Sequence, residues 1–226
     1  MSKSPFVLIH SPLVGKHTWK LVAKQLEASG HEVYVPELLD KRKSKYPFWK
    51  QQVDSIDLDV ENPIVIGHSA AGAILPIIGE KLNASAYIFV DAVVTFESTT
   101  RLDLLRLEDT GFAQEIEAHL NSGGKFPDWT DEQLSAVIPS PKLRKKLLKH
   151  MRPRDMRFFR ESIDIPPNWN HVPCGYIQLS DSYQLYATVA KAHQWYVLDY
   201  PSQHFAILTE PEKISDLILK TAKAIL

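Results

Sequence analysis

The chain has 226 residues, 44% hydrophobic and 23% charged, a balance that fits one globular domain with a continuous core and excludes a disordered segment. The formal net charge of -1, from 26 basic and 27 acidic residues, gives no electrostatic footprint for nucleic acid. Cys174 has no partner for an internal disulfide, Met1-Ser2-Lys3-Ser4-Pro5 carries no signal-peptide pattern, and no apolar run approaches the roughly 20 residues that span a bilayer, so a soluble, cytoplasmic protein is expected.

Phe6 to Ile9 is a short apolar run of the kind that forms a buried strand. Trp19, Val22, Ala23 and Leu26 follow with helical spacing, and Gly30 is placed as the stop. Val33 to Val35 and Ile64 to Ile66 are the next strands. Ala70 to Leu82 has helical character, and Pro76 within it removes a backbone donor and predicts a kink. Tyr87 to Val90, Tyr176 to Leu179 and Tyr196 to Leu198 complete the strands, and Pro211 to Leu226 closes the chain as a helix with Ile214, Leu217, Ile218 and Ala222 on one side. Strand and helix alternate, so the fold class is α/β: a mostly parallel six-stranded sheet with helices on both faces.

The stretch 95–166 breaks that alternation with helical segments, several prolines and the loop Asn121-Ser122-Gly123-Gly124. It is too long for a simple crossover, so one domain is expected, with a core of 1–94 and 167–226 and an inserted helical cap over the site. The plainer alternative is a helical subdomain that only adds core.

Ile64-Val65-Ile66-Gly67-His68-Ser69-Ala70-Ala71-Gly72 joins a buried strand to a helix start through a tight turn with serine at its apex. Such a serine takes a strained backbone conformation, tolerable only between neighbours with almost no side chain, here Gly67 and Ala71. The helix start aims the N–H of Ala70 at the reacting centre, where it can stabilise an oxyanion. Ser69 is the candidate nucleophile.

A serine hydroxyl needs an imidazole to take its proton and an acid to orient that imidazole. Of nine histidines, His204 in Ser202-Gln203-His204-Phe205 lies between the last strand and the final helix, where chain order puts the base. His68 sits beside the nucleophile and reads as structural, while His10 and His17 are candidates for the pocket border. The acid belongs between Ser69 and His204. Asp181, just past the strand that follows the cap, meets that rule, and Asp91 at the end of the strand before the cap competes with it.

These pieces resemble the α/β-hydrolase superfamily, in particular its small members related to plant methyl esterases and hydroxynitrile lyases. The likeness covers most of the chain and rests on Phe6-Val7-Leu8-Ile9-His10 with Trp19 nine residues later, Gly30-His31-Glu32-Val33, Gly67-His68-Ser69, Met151-Arg152-Pro153, and His204-Phe205-Ala206-Ile207-Leu208 with Glu210-Pro211. In that family the loop after the first strand reads His-Gly and supplies a second oxyanion donor. Here it reads His10-Ser11-Pro12-Leu13, and Pro12 has no N–H, so the Leu13 N–H or the Ser11 hydroxyl must substitute. Ser11 matches the hydroxyl residue of the lyase members, whereas Phe205 replaces the lysine that follows their catalytic histidine.

The resemblance therefore implies a serine hydrolase that cleaves a small ester or related acyl substrate through an acyl-enzyme. The alternatives are a lyase or other non-hydrolytic use of the triad, and a catalytically weak ligand-binding homologue. No cofactor is implied, and no compact Cys/His or His-Glu metal pattern or Gly-X-Gly-X-X-Gly fingerprint occurs. Lys142 to His150 is a basic amphipathic stretch that reads as a solvated helix face. Phe126, Trp129, Phe158, Phe159 and Trp169 can form an apolar acyl pocket or cap core.

Overall fold

The computed structural model describes residues 4–226, and Met1-Ser2-Lys3, read above for the missing leader pattern, lie outside them. The strands are β1 (Phe6–Ile9), β2 (Val33–Tyr34), β3 (Ile64–Ser69), β4 (Ala86–Ala92), the two-residue β5 (Thr99–Thr100) and β6 (Ser162–Ile163), β7 (Cys174–Gln178) and β8 (Tyr196–Asp199). Six of them form one parallel sheet in the order β2-β1-β3-β4-β7-β8. The remaining two, β5 and β6, pair antiparallel at the base of the insertion.

Alternation along the strands builds two cores. Val7, Ile9 and Val65 face one way, and Phe6, Leu8, Ile64 and Ile66 the other. The second face is covered by α1 (Lys20–Ala28) through Val22 and Leu26 and by the C-terminal helix through Ile214 and Ile218. Burying each such side chain contributes roughly 1.5–3 kcal/mol relative to exposure. The first face is covered by α2 (Phe48–Asp54) through Val53 and α3 (Leu75–Lys81) through Ile78.

Helix α3 differs from the expected kinked Ala70–Leu82 helix. Residues Ala70–Ile74 form a tight 3-10 segment, and the α-helix starts only at Leu75. Pro76 thus lies in a first turn, where its missing N–H has no intrahelical partner to lose. The break falls at Ile74, with φ -115 and ψ 0, not at the proline.

Between β4 and β7 the chain forms α4 (Arg101–Glu108), α5 (Thr110–Asn121), α6 (Asp131–Ser135), α7 (Pro141–His150) and α8 (Met156–Arg160). Thr100, Asp109, Thr130 and Ser140 cap four of these helices through their side chains. Leu102, Ile116, Leu120, Phe126, Phe158 and Phe159 pack there with Leu13 and Phe48 of the core. After β7 follow α9 (Gln184–Ala192), α10 (Ala206–Thr209) and α11 (Pro211–Ile225). No helix among the described residues is long and apolar enough to cross a membrane.

Candidate active site

β3 ends on Ser69, whose φ of 60 and ψ of -134 lie where a side chain is strained by about 1–3 kcal/mol. The neighbours make that turn possible. A Cβ at Gly72 would stand 1.9 Å from the carbonyl oxygen of Val93, and one at Gly67 would stand 2.8 Å from the Leu75 side chain. Gly72, three residues past the serine, therefore carries the tightest restriction, ahead of Ala71. The following residues begin the 3-10 segment, so the backbone N–H of Ala70 lies at its positive end.

Ser69 lines a cavity of about 690 Å³ between the strand ends and the insertion. His204, in the loop before α10, reaches the same cavity. Its Nδ1 bonds Oδ2 of Asp91 at 2.7 Å. Asp91 is fully buried near the end of β4 with φ 44, and its other bonds come from the Leu179 N–H at 2.9 Å, the Ser180 N–H at 3.0 Å and the Ser180 hydroxyl at 2.7 Å. Burial alone would push this carboxyl up. The hydrogen bond and charge of His204, with the Ser180 and Leu179 donors, hold it below the usual carboxylate range.

Asp181 is not the partner of His204. It starts a short 3-10 turn, Asp181–Tyr183, where its side chain is exposed at the cavity rim. The cause is a register shift: beside β3, pairing slips between His68 and Ser69, so Ser69 faces Ala92 and Asp91 turns out of the ladder. The backbone N–H groups just past β7 then bind Asp91, which takes the place beside His204 Nδ1.

The His204 imidazole lies between two rings. His68 stacks on one side at 4.5 Å and Tyr183 on the other at 4.9 Å, with the Tyr183 plane 1° from parallel. His68 bonds the His204 carbonyl through Nε2 at 2.9 Å, and burial, then the charge of His204, pull its pKa down to about 3. It is a neutral positioning group. The Tyr183 hydroxyl lies 3.3 Å from Ser69 Oγ, and among the described residues this is the hydrogen bond Ser69 Oγ makes; none joins it to His204. Burial raises the Tyr183 phenol well above its ordinary pKa, so it stays protonated. Sequence reasoning missed Tyr183 because a tyrosine two residues beyond a candidate acid matches no motif.

The loop after β1 is buried and pinned. Ser11 and Leu13 line the cavity, and the Leu13 N–H reaches the Ser11 hydroxyl over a long 3.4 Å. The Pro12 carbonyl accepts from Arg154 Nη2 at 3.0 Å and Nε at 3.3 Å, and Arg154 itself makes a bidentate pair with Asp40 at 2.7 and 2.8 Å. His10 is buried beneath this loop, accepting the Leu38 N–H at Nε2, and His17 lines a separate surface cavity. Among the aromatic residues singled out, Phe126, Trp129, Phe158 and Phe159 line the cavity of Ser69, whereas Trp169 packs in the core under the sheet. Glu108 on α4 also lines the cavity, and burial lifts its carboxyl to about 7 against the opposing hydrogen bond of Tyr186.

No protein-family model matches this sequence, and no curated protein does. Solved structures do. An extracellular α/β-hydrolase from a Paenibacillus species, described as sharing structural and functional homology with tobacco salicylic acid binding protein 2, superposes with TM-score 0.78 at 19% identity, over 97% of this chain and 99% of that one. This chain has the α/β-hydrolase fold. Polyneuridine aldehyde esterase shares that fold with TM-score 0.71 and 16% identity, covering 98% of this chain and 100% of its own. Tomato methylketone synthase I, solved with 2-tridecanone, gives TM-score 0.74 at 14% identity with 100% of both chains covered.

Proposed function

We infer that the protein is a serine hydrolase of the esterase type, with Ser69 as nucleophile, His204 as general base and Asp91, in place of Asp181, as the acid that orients it. The observation that carries this reading is the 2.7 Å Asp91–His204 bond beside a serine in a strained turn, with Ser69 and His204 opening on one cavity and Asp91 buried behind the imidazole. With Nδ1 committed to Asp91, Nε2 is the atom left to take the serine proton. Ser69 Oγ gives up its long bond to Tyr183, passes its proton to Nε2 and attacks the ester carbonyl. The Ala70 N–H and the Leu13 N–H, the latter released from Ser11, receive the oxyanion. Nε2 returns the proton to the departing alcohol, and a water then cleaves the acyl-enzyme by the reverse sequence. The cap is the 95–166 insertion, whose aromatic side chains bound the acyl pocket.

A second reading uses the same triad for proton transfer without an acyl-enzyme. The Ser69–Tyr183 contact favours it, because a phenol that burial keeps protonated can hold a hydrogen bond to a substrate oxygen beside the serine. One experiment separates the two. A fluorophosphonate probe should label the wild type and leave a Ser69→Ala variant untouched; a folded wild type that hydrolyses no ester and takes no label sinks the hydrolase reading.

A further inference from the structure

Helix α4 lays one face along the reactive cavity. Arg101, Leu104, Leu105 and Glu108, spaced as a single helical stripe, all line it. The seven-residue span corresponds to roughly 10 Å of helix rise. The end toward Glu108 is the reacting end: the Leu104 carbonyl accepts from the Tyr186 hydroxyl at 3.3 Å, the Tyr186 ring lies 6.1 Å from that of Tyr183, and the Tyr183 hydroxyl touches Ser69. Arg101 marks the other end, beyond two leucines.

Arg101 is 4% exposed. Its Nη1 donates to the Phe158 carbonyl at 3.1 Å and to Glu161 Oε1 at 2.6 Å, and its guanidinium lies 3.8 Å from the centre of the Phe158 ring. Nε and Nη2 are buried and, among the described residues, have no hydrogen-bond partner. These two donors form one edge of the planar guanidinium, the edge that matches both oxygens of a carboxylate. The neighbouring acids are already engaged. Glu161 also accepts the Phe48 and Trp49 N–H groups, and Asp40 is held bidentately by Arg154. Desolvated donors of a charged group left unpaired are costly, and an anion that met this edge after a small turn of the guanidinium toward the cavity would relieve that cost.

We propose that Arg101 is the specificity-determining residue of this cavity: its free Nε–Nη2 edge binds a carboxylate remote from the scissile bond, and the substrate is a monoester of a dicarboxylic acid. The apolar spacer lies against Leu104 and Leu105 while the ester carbonyl meets Ser69. Hydrolysis then adds one water, releasing the alcohol and the free dicarboxylic acid. This inference rests on the assignment of Ser69 as nucleophile, so its test separates the two.

The test compares the 4-nitrophenyl esters of hexanoic acid and of adipic acid, the latter a monoester, which differ in the terminal carboxylate. The wild type should favour the carboxylated ester in kcat/KM by on the order of 10- to 100-fold, the range expected for charge-assisted hydrogen bonds. Arg101→Met should erase that ratio, and Arg101→Lys, which keeps the charge without the fork, should retain only part of it. A ratio near one in the wild type, or the same ratio in wild type and Arg101→Met, overturns the proposal and leaves Ser69 catalysis standing. An Arg101→Met protein that only melts earlier, with its ratio intact, makes the arginine a strut between α4 and α8 and likewise overturns it. Calorimetric binding of monomethyl adipate to Ser69→Ala, with and without Arg101→Lys, gives a readout independent of turnover. Should neither ester be cleaved and no fluorophosphonate bind, the nucleophile assignment fails alone. Weaker binding with the lysine then supports the Arg101 site, and equal binding overturns it.

Discussion

The turn that holds Ser69 and the corner that holds Asp91 solve the same problem, fixing one functional atom, by opposite means. At the turn, steric constraints in one short run decide: a strained serine, with small residues where a Cβ would strike Leu75 or Val93. At the corner, long-range pairing decides. A carboxylate from the end of β4 is held by N–H groups just past β7 and by an imidazole 113 residues away in the chain. The turn tolerates little variation in shape, whereas the corner depends on which buried charge finds enough donors.

That contrast is sharpest in the acid. Asp91→Asn should lower kcat by about 10⁴-fold through loss of the correct imidazole tautomer. Asp181→Asn should alter it by less than about threefold, as befits an exposed side chain. Steady-state rates on any cleaved ester decide the matter, and the reverse ranking would return the acid to Asp181. For the turn, Gly72→Ala is expected to cost about 3 kcal/mol or more, because backbone must move, while Gly67→Ala meets only a movable leucine and should cost about 1 kcal/mol. Urea unfolding midpoints measure both, and equal losses would mean that the turn yields more than its contacts imply.

A pH-dependent effect belongs to Glu108, the half-buried acid on α4. Glu108 titrates at about 7 in the native protein against an ordinary 4.5, so the folded state holds its proton longer and stability falls as pH rises between those values. Glu108→Gln should therefore match the wild type below pH 4.5 and exceed it above pH 7, by roughly 1–3 kcal/mol. Melting curves across that range would show it, and a constant difference at every pH would place the Glu108 carboxyl in contact with water.

Apolar runs with alternating faces made the six main strands legible, and Gly67-His68-Ser69 made the turn so, because each signal is complete within a few residues. That His204 reaches the cavity of Ser69 followed from its place after the last strand. The choice between Asp91 and Asp181 did not, since it depends on a one-residue slip in the β3–β4 ladder that no local pattern encodes. The break before Pro76 was displaced for a related reason: close approach of the turn to Val93 winds Ala70–Ile74 tighter than an α-helix. The settings of Tyr183 and Arg101 were invisible because they depend on residues far along the chain, Ser69 in one case and Phe158 and Glu161 in the other.

The clamp on Pro12 has a mechanical consequence. Arg154 and Arg152 belong to the insertion, and they grip the carbonyls of Pro12 and Leu13, while Arg154 is also anchored to Asp40 of the core. Lifting the insertion as a hinged lid would have to strip a buried ion pair and drag the β1 loop with it. This corner therefore behaves as masonry, and the same frame sets the aim of the Leu13 N–H.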